Sequence, residues 1–114
     1  MIVDLPWPPY HLSQNGQHGH YRAHEARKKA YRALAEEAIG EGPHPTFGNG
    51  DIRLTITFHP PTITRPDLDN GLTRLKAGID ALAAAWGVND NRFEYDLRHG
   101  PKIKHGRVVV SIGG

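Results

Sequence analysis

Six bulky apolar residues, Leu68, Leu72, Leu75, Ile79, Leu82 and Trp86, recur at spacings of three and four between positions 68 and 86. At 100° per residue they form one stripe along a helix, and a stripe that wide belongs in a core. Beside it, Ala77, Ala81 and Ala84, with Gly78 and Ala85, make a second surface of small residues on which another helix can approach closely. A segment with two such faces needs two partners, so this helix is expected at the centre of the fold. Gly87 follows as a C-cap, with Val88 folding back as its apolar neighbour.

The flanking text supplies those partners. Ile2 to Leu5 reads as a short strand, stopped by Pro6-Trp7-Pro8-Pro9, and Tyr10 to Gly19 has the composition of a loop. Tyr21 to Ile39 predicts an amphipathic helix with a basic first half, with Ala26, Ala30, Leu34 and Ala38 four apart, ended by Gly40 and Pro43. Ile52, Leu54, Ile56 and Phe58 alternate with polar residues, as do Phe93, Tyr95 and Leu97, and Val108, Val110 and Ile112 mark a last strand. The last two strands are expected to form a hairpin through a basic turn at His105-Gly106. The order β-α-β-α-β-β gives an α+β (mixed α/β) fold, a single domain over residues 1–114, with the pairing order of the sheet left open.

Composition narrows the function. No apolar run approaches the roughly 18 residues of a membrane span, and the N-terminus has Asp4 and prolines where a signal peptide wants a basic residue and an apolar helix. Zero cysteines exclude disulfides, thiolate metal sites and Cys nucleophiles, in keeping with a cytoplasmic protein. Net charge is only +2, but Arg22, Arg27, Lys28, Lys29 and Arg32 crowd one stretch, and Lys102, Lys104, His105 and Arg107 another. Such clusters suit either phosphate contacts or an ordinary solvated face. The eight histidines are scattered rather than caged, and neither Ser13 nor Ser111 stands in a nucleophile context.

The chemistry concentrates in carboxylates. Asp67-Leu68-Asp69-Asn70, read as an extended i, i+2 pair, aims two carboxylates to one side, where they repel unless a cation lies between them. Mg2+ takes hard oxygen ligands, often only one or two carboxylates, and completes its shell with water and phosphate. The alternative is that Asp69 or Asn70 caps the helix while Asp67 favours its dipole. Asp90, in Asn89-Asp90-Asn91, is a third acid, or simply turn chemistry. Asp69, Thr73, Lys76 and Asp80 fall on one polar line of the helix, where Lys76 can hold a phosphate or pair with Asp80 at i, i+4.

Together these segments resemble the RusA-like Holliday-junction resolvase family. The resemblance rests on Leu5-Pro6-Trp7-Pro8-Pro9, Asn15, Tyr21-Arg22, Arg65-Pro66-Asp67-Leu68-Asp69-Asn70, Lys76-Ala77-Gly78-Ile79-Asp80-Ala81-Leu82, Gly87-Val88-Asn89-Asp90-Asn91 and the strand from Gly106 to Ile112. It implies Asp67, Asp69 and Asp90 as catalytic, metal-ligating aspartates and Lys76 as the helix lysine. The segment before Lys76 is longer here by about one helical turn, so Arg74 or Thr73 could fill that place. The resemblance further implies Mg2+ (with Mn2+ substituting), a four-way DNA junction as substrate, a homodimer, and a phage or prophage setting in recombination or repair. Asn15, Arg22, Arg27, Lys28, Arg65, Arg74, Lys102 and Lys104 are then the expected DNA contacts. The rival readings are a DNA-binding module without catalysis, and a metal-dependent nuclease for other branched DNA.

Geometry adds a constraint. If Asn70 to Trp86 is one helix, its 17 residues span roughly 25 Å. Asp90 would then lie far from Asp67 and Asp69 of its own chain. Two antiparallel copies of the helix, meeting on Ala77, Ala81 and Ala84, would form two composite sites per dimer. A break at Gly78 is the alternative.

Overall fold

The computed structural model describes residues 1–9, 12 and 21–113. Its elements are β1 (Ile2–Leu5), α1 (Tyr21–Ile39), β2 (Ile52–His59), α2 (Leu68–Trp86), a 3-10 turn (Asp90–Arg92), β3 (Phe93–His99) and β4 (Arg107–Ile112). The expected order of strands and helices is observed. The expected hairpin is not: the sheet runs β1-β4-β2-β3, and β3 and β4 flank β2 from opposite sides. β3 follows β2 through a helical crossover and so pairs parallel to it, Ile52 beside Phe93. β4 pairs antiparallel with both β2 and β1. Segment 100–106 carries the chain across the end of β2, two strand spacings or roughly 10 Å. The Gly100 and Ile103 amides bond the carbonyls of Phe58 (2.8 Å) and Pro60 (3.0 Å) on the way.

Alternate strand residues point to a helix-covered face. Val3, Leu5, Ile52, Leu54, Ile56, Phe58, Phe93, Val108 and Val110 are buried there, against Leu75, Ile79, Leu82 and Trp86 of the α2 stripe. The opposite face is polar, with Arg53 and Glu94 3.7 Å apart and Arg107 3.6 Å from Asp4.

α2 is unbroken through Gly78, and glycine is what lets it sit so close to its neighbours. A Cβ at Gly71 would lie 3.0 Å from the Phe58 ring, and one at Gly78 would lie 3.2 Å from the Tyr31 ring and 3.4 Å from Leu5. The helix meeting the small-residue surface is therefore α1 of the same chain: Ala81 is buried and Ala77 half-buried, while Ala84 stays exposed. That corrects the expectation of Ala77, Ala81 and Ala84 as a dimer seam, because α1 already lies along it. Gly87 ends the helix at φ 67°, and the Val88 amide bonds Ala83 at 3.0 Å as the Schellman pattern requires.

Pro6 to Pro9 is held by both helices. The Tyr31 hydroxyl donates to the Pro6 carbonyl at 2.6 Å, and Arg74 donates to Pro8 (2.7 Å) and Pro9 (3.3 Å) with its guanidinium 5.4 Å from the Trp7 ring centre. Trp7 also lies edge-on to Phe58 and against Gly106, where a Cβ would come within 2.8 Å. Burial raises the Tyr31 pKa well above its ordinary value, against the pull of Arg74, and burial lowers that of Arg74.

Replacing Gly78 by valine would drive a branched side chain into Tyr31 and Leu5. A loss of about 1–3 kcal/mol in urea denaturation is expected, despite valine's better helix propensity.

Candidate functional site

Asp67 occupies the N-cap position of α2 with extended backbone (φ −60°, ψ 143°), yet its side chain makes no capping hydrogen bond. Its carbonyl instead accepts the first helical bond, from Gly71 at 2.8 Å. The helix begins at Leu68, so the expected extended pair is a cap residue followed by a first-turn residue. Asp69 is helical, and its carbonyl accepts from the Thr73 hydroxyl at 3.1 Å. Both carboxylates are exposed, at the positive end of the helix dipole and beside the carboxyl ends of the parallel β2–β3 pair, where open α/β sheets commonly bind ligands. Arg65 and Lys102 line a groove at the same end, with Ile63 standing 85% exposed on its rim.

Asp90 lies elsewhere. Asn89 performs the turn chemistry, its side chain accepting from the Asn91 amide at 3.0 Å, and Arg92 fixes the turn by bonding the carbonyls of Gly48 and Gly50. Asp90 is left to reach across to α2, where its carboxylate accepts from the Lys76 ammonium at 2.5 Å. Lys76 lies 3.3 Å from Asp80 as well. Burial works against the charged Lys76, but the bond to Asp90 and the charge of Asp80 more than offset it, and its pKa is raised. The same bond holds the Asp90 carboxyl below its ordinary value. Tyr95 of β3 completes the group; burial and the two acids push its phenol up, against Lys76.

This placement changes the expected distance. Gly87 turns the chain back along α2, so Asp90 sits near the level of Lys76 to Asp80, roughly 10–17 Å along the axis from Asp69 rather than beyond the helix end. That is still too far for one ion to bridge. Among the described residues, no three histidine or carboxylate side chains gather as a metal site.

Of the other candidates, Arg22, Arg27 and Lys28 lie on α1, Lys102 and Lys104 are exposed in segment 100–106, and Asn15 lies outside the described residues. Arg74 is engaged by the proline segment, and Lys76 is the α2 cation that meets Asp90. Tyr95 is a site neighbour that the sequence pattern does not single out, whereas the Lys76–Asp80 pair is the i, i+4 contact that the spacing allows. Asp80 stands on the polar line, but its approach to Asp90 depends on the turn at Gly87.

No protein-family model matches the chain. An uncharacterized protein of Xylella fastidiosa is 35% identical over 98% of this chain and 75% of its own length. The crossover junction endodeoxyribonuclease RusA of Escherichia coli K12 is 30% identical over 96% of this chain and 91% of its own. The enzyme of the same name from Enterobacteria phage 82 is 32% identical over the same shares. The chain belongs to the RusA-like family. No helix among the described residues is long and apolar enough to cross a membrane.

Lys76→Gln should let the Asp90 carboxyl titrate upward, toward the ordinary carboxylate range, as read by carboxyl carbon NMR. Because the folded value is depressed, the stabilisation from this pair is present above that range and is lost as pH falls through the Asp90 value. The variant's melting temperature should accordingly depend less on pH there than the wild type's.

Proposed function

We propose that this chain is a Mg2+-dependent endonuclease that resolves four-way DNA junctions as a homodimer. The observation that carries the reading is the uncapped Asp67 carboxylate beside Asp69 on the exposed start of α2, in a chain whose relatives are named as crossover junction endodeoxyribonucleases. Two hard oxygen donors with no fixed partner among the described residues suit Mg2+, which commonly takes one or two carboxylates. The ion's chemistry at such a place is to polarise the scissile phosphate and to make water a competent nucleophile near neutral pH.

The chain's own residues have separable tasks. Asp67 and Asp69 hold the cation at the helix start, and Arg65 and Lys102 grip the phosphate backbone from the neighbouring groove. Lys76, kept protonated by Asp90 and Asp80, offers a fixed positive charge for a strained phosphate or a departing oxygen. Asp90 is too far from its own Asp pair to share an ion with it. In a two-fold dimer, Asp90 of the partner subunit would complete each site, giving two symmetric cuts on opposing strands. Since α1 packs against Gly78 and along Ala77 and Ala81, leaving only Ala84 exposed, the dimer would form through another face. The phage relative is in keeping with a phage or prophage role in recombination or repair. Mn2+ should substitute, sharing the preference for oxygen ligands.

With labelled four-way junction and Mg2+, the wild type should nick opposing strands and Asp69→Asn should be slower by about a hundredfold or more, roughly 2.7 kcal/mol in the barrier. A wild type that binds junctions without cutting them is a DNA-binding module, and one that cuts linear duplex equally fast has a different substrate. Mixing Asp67→Asn with Asp90→Asn protein should restore part of the activity; no recovery would place each site within one subunit.

A further inference from the structure

The two helices lie side by side and run in the same direction. Glu25, Lys28, Lys29 and Arg32 of α1 share a groove of about 270 Å³ with Thr73, Lys76, Ala77 and Asp80 of α2. Farther along, Glu36, Glu37 and Glu41 face Ala81, Ala84 and Ala85 across its continuation. One inter-helix groove is thus basic beside the half of α2 that begins with Asp67 and Asp69, and acidic beside the other half.

We propose that the basic half of this groove is the track for one phosphodiester backbone of the DNA, entered from the Asp69 end and closed off at the acidic half; this assignment rests on the nuclease reading above. Besides Arg74, which the proline segment holds, four cations line its two walls. Lys28 and Arg32 are held upright by acids of their own helix, Glu25 at 3.5 Å and Glu36 at 3.8 Å, and Lys76 by Asp80 and Asp90. Lys29 is exposed and pairs with no acid among the described residues. Exposed pairs of this kind contribute little to stability, so a phosphate can exchange for the carboxylate at small cost. A polyanion is attracted as far as Arg32 and repelled beyond Glu36 and Glu37, which fixes the direction in which the strand lies. The track also divides α1. Arg27, expected from the resemblance as a DNA contact, projects about 100–160° around the helix from Lys28, Lys29 and Arg32, and so faces away from the strand; the track removes it from the set of contacts.

Because the chain has no cysteine, single-cysteine variants of the full-length protein label at one place only. Lys29→Cys, Arg27→Cys and Glu37→Cys, each carrying a thiol-linked photocrosslinker, are mixed with four-way junction in EDTA. Crosslinks are expected from position 29 and not from 27 or 37. In parallel, Lys29→Gln/Arg32→Gln should weaken junction binding about 10- to 100-fold and lower the salt slope by about two. Arg27→Gln should stay within twofold of the wild type. Equal crosslinking from position 27, or an unchanged salt slope in the double variant, overturns the track. If the crosslinks fall as expected and the wild type still fails to cut with Mg2+, the track stands and the nuclease reading fails.

Discussion

The close seating of α2 is the constraint on which the rest of the molecule depends. Gly71 and Gly78 are seven residues apart, two turns, so they present bare backbone on one side of the helix, to Phe58 and to Tyr31 with Leu5. That contact sets how near the helix lies to the sheet and how near α1 lies to the helix. Everything chemical hangs from this placement. The start of α2 carries Asp67 and Asp69, its middle carries Lys76 and Asp80, and the groove between the helices has its width fixed by Tyr31 against Gly78. Arg74 and Tyr31 then tie the proline segment to the same two helices, so the end of β1 is registered against the helix pair as well as against β4.

Much of this was legible in the sequence because the signals are periodic and local. The alternation in β2, the six-residue stripe of α2 and the glycine after Trp86 each report a conformation that neighbouring residues alone decide. The pairing of β3 was not legible. Phe93 to Leu97 and Val108 to Ile112 look like two arms of a hairpin, and nothing within either arm records that β2 lies between them. The small-residue face of α2 was legible as a contact surface, but its occupant was not, since an alanine stripe does not say which helix meets it.

The site divided in the same way. Asp67 and Asp69 lie two residues apart along the chain, and their exposure at a helix start follows from the pattern around them. Their local geometry did not follow, because helix entry at Leu68 replaces an extended pair by a cap and a first-turn residue. Asp90 is the instructive case. Counting residues along α2 places it far away, but the left-handed turn at Gly87 sends the chain back beside the helix, and Asn89 takes over the turn chemistry that would otherwise explain the acid. What remains is a carboxylate with a specific cationic partner, which composition alone cannot distinguish from a good turn residue.

The position of β4 bears on how the molecule assembles. It is the last of the described strands in chain order, yet it lies inside the sheet, the shared neighbour of β1 and β2. On a ribosome, β1 emerges long before β4 and, among the described strands, has none to pair with until β4 has appeared. The helices and the β2–α2–β3 unit can form early from nearby contacts, but the sheet closes only when β4 slides between its two waiting partners. The apolar faces of Leu5, Ile56 and Phe58 stay uncovered by that strand until then, so the arrival of β4 acts as the step that commits this sheet to its fold.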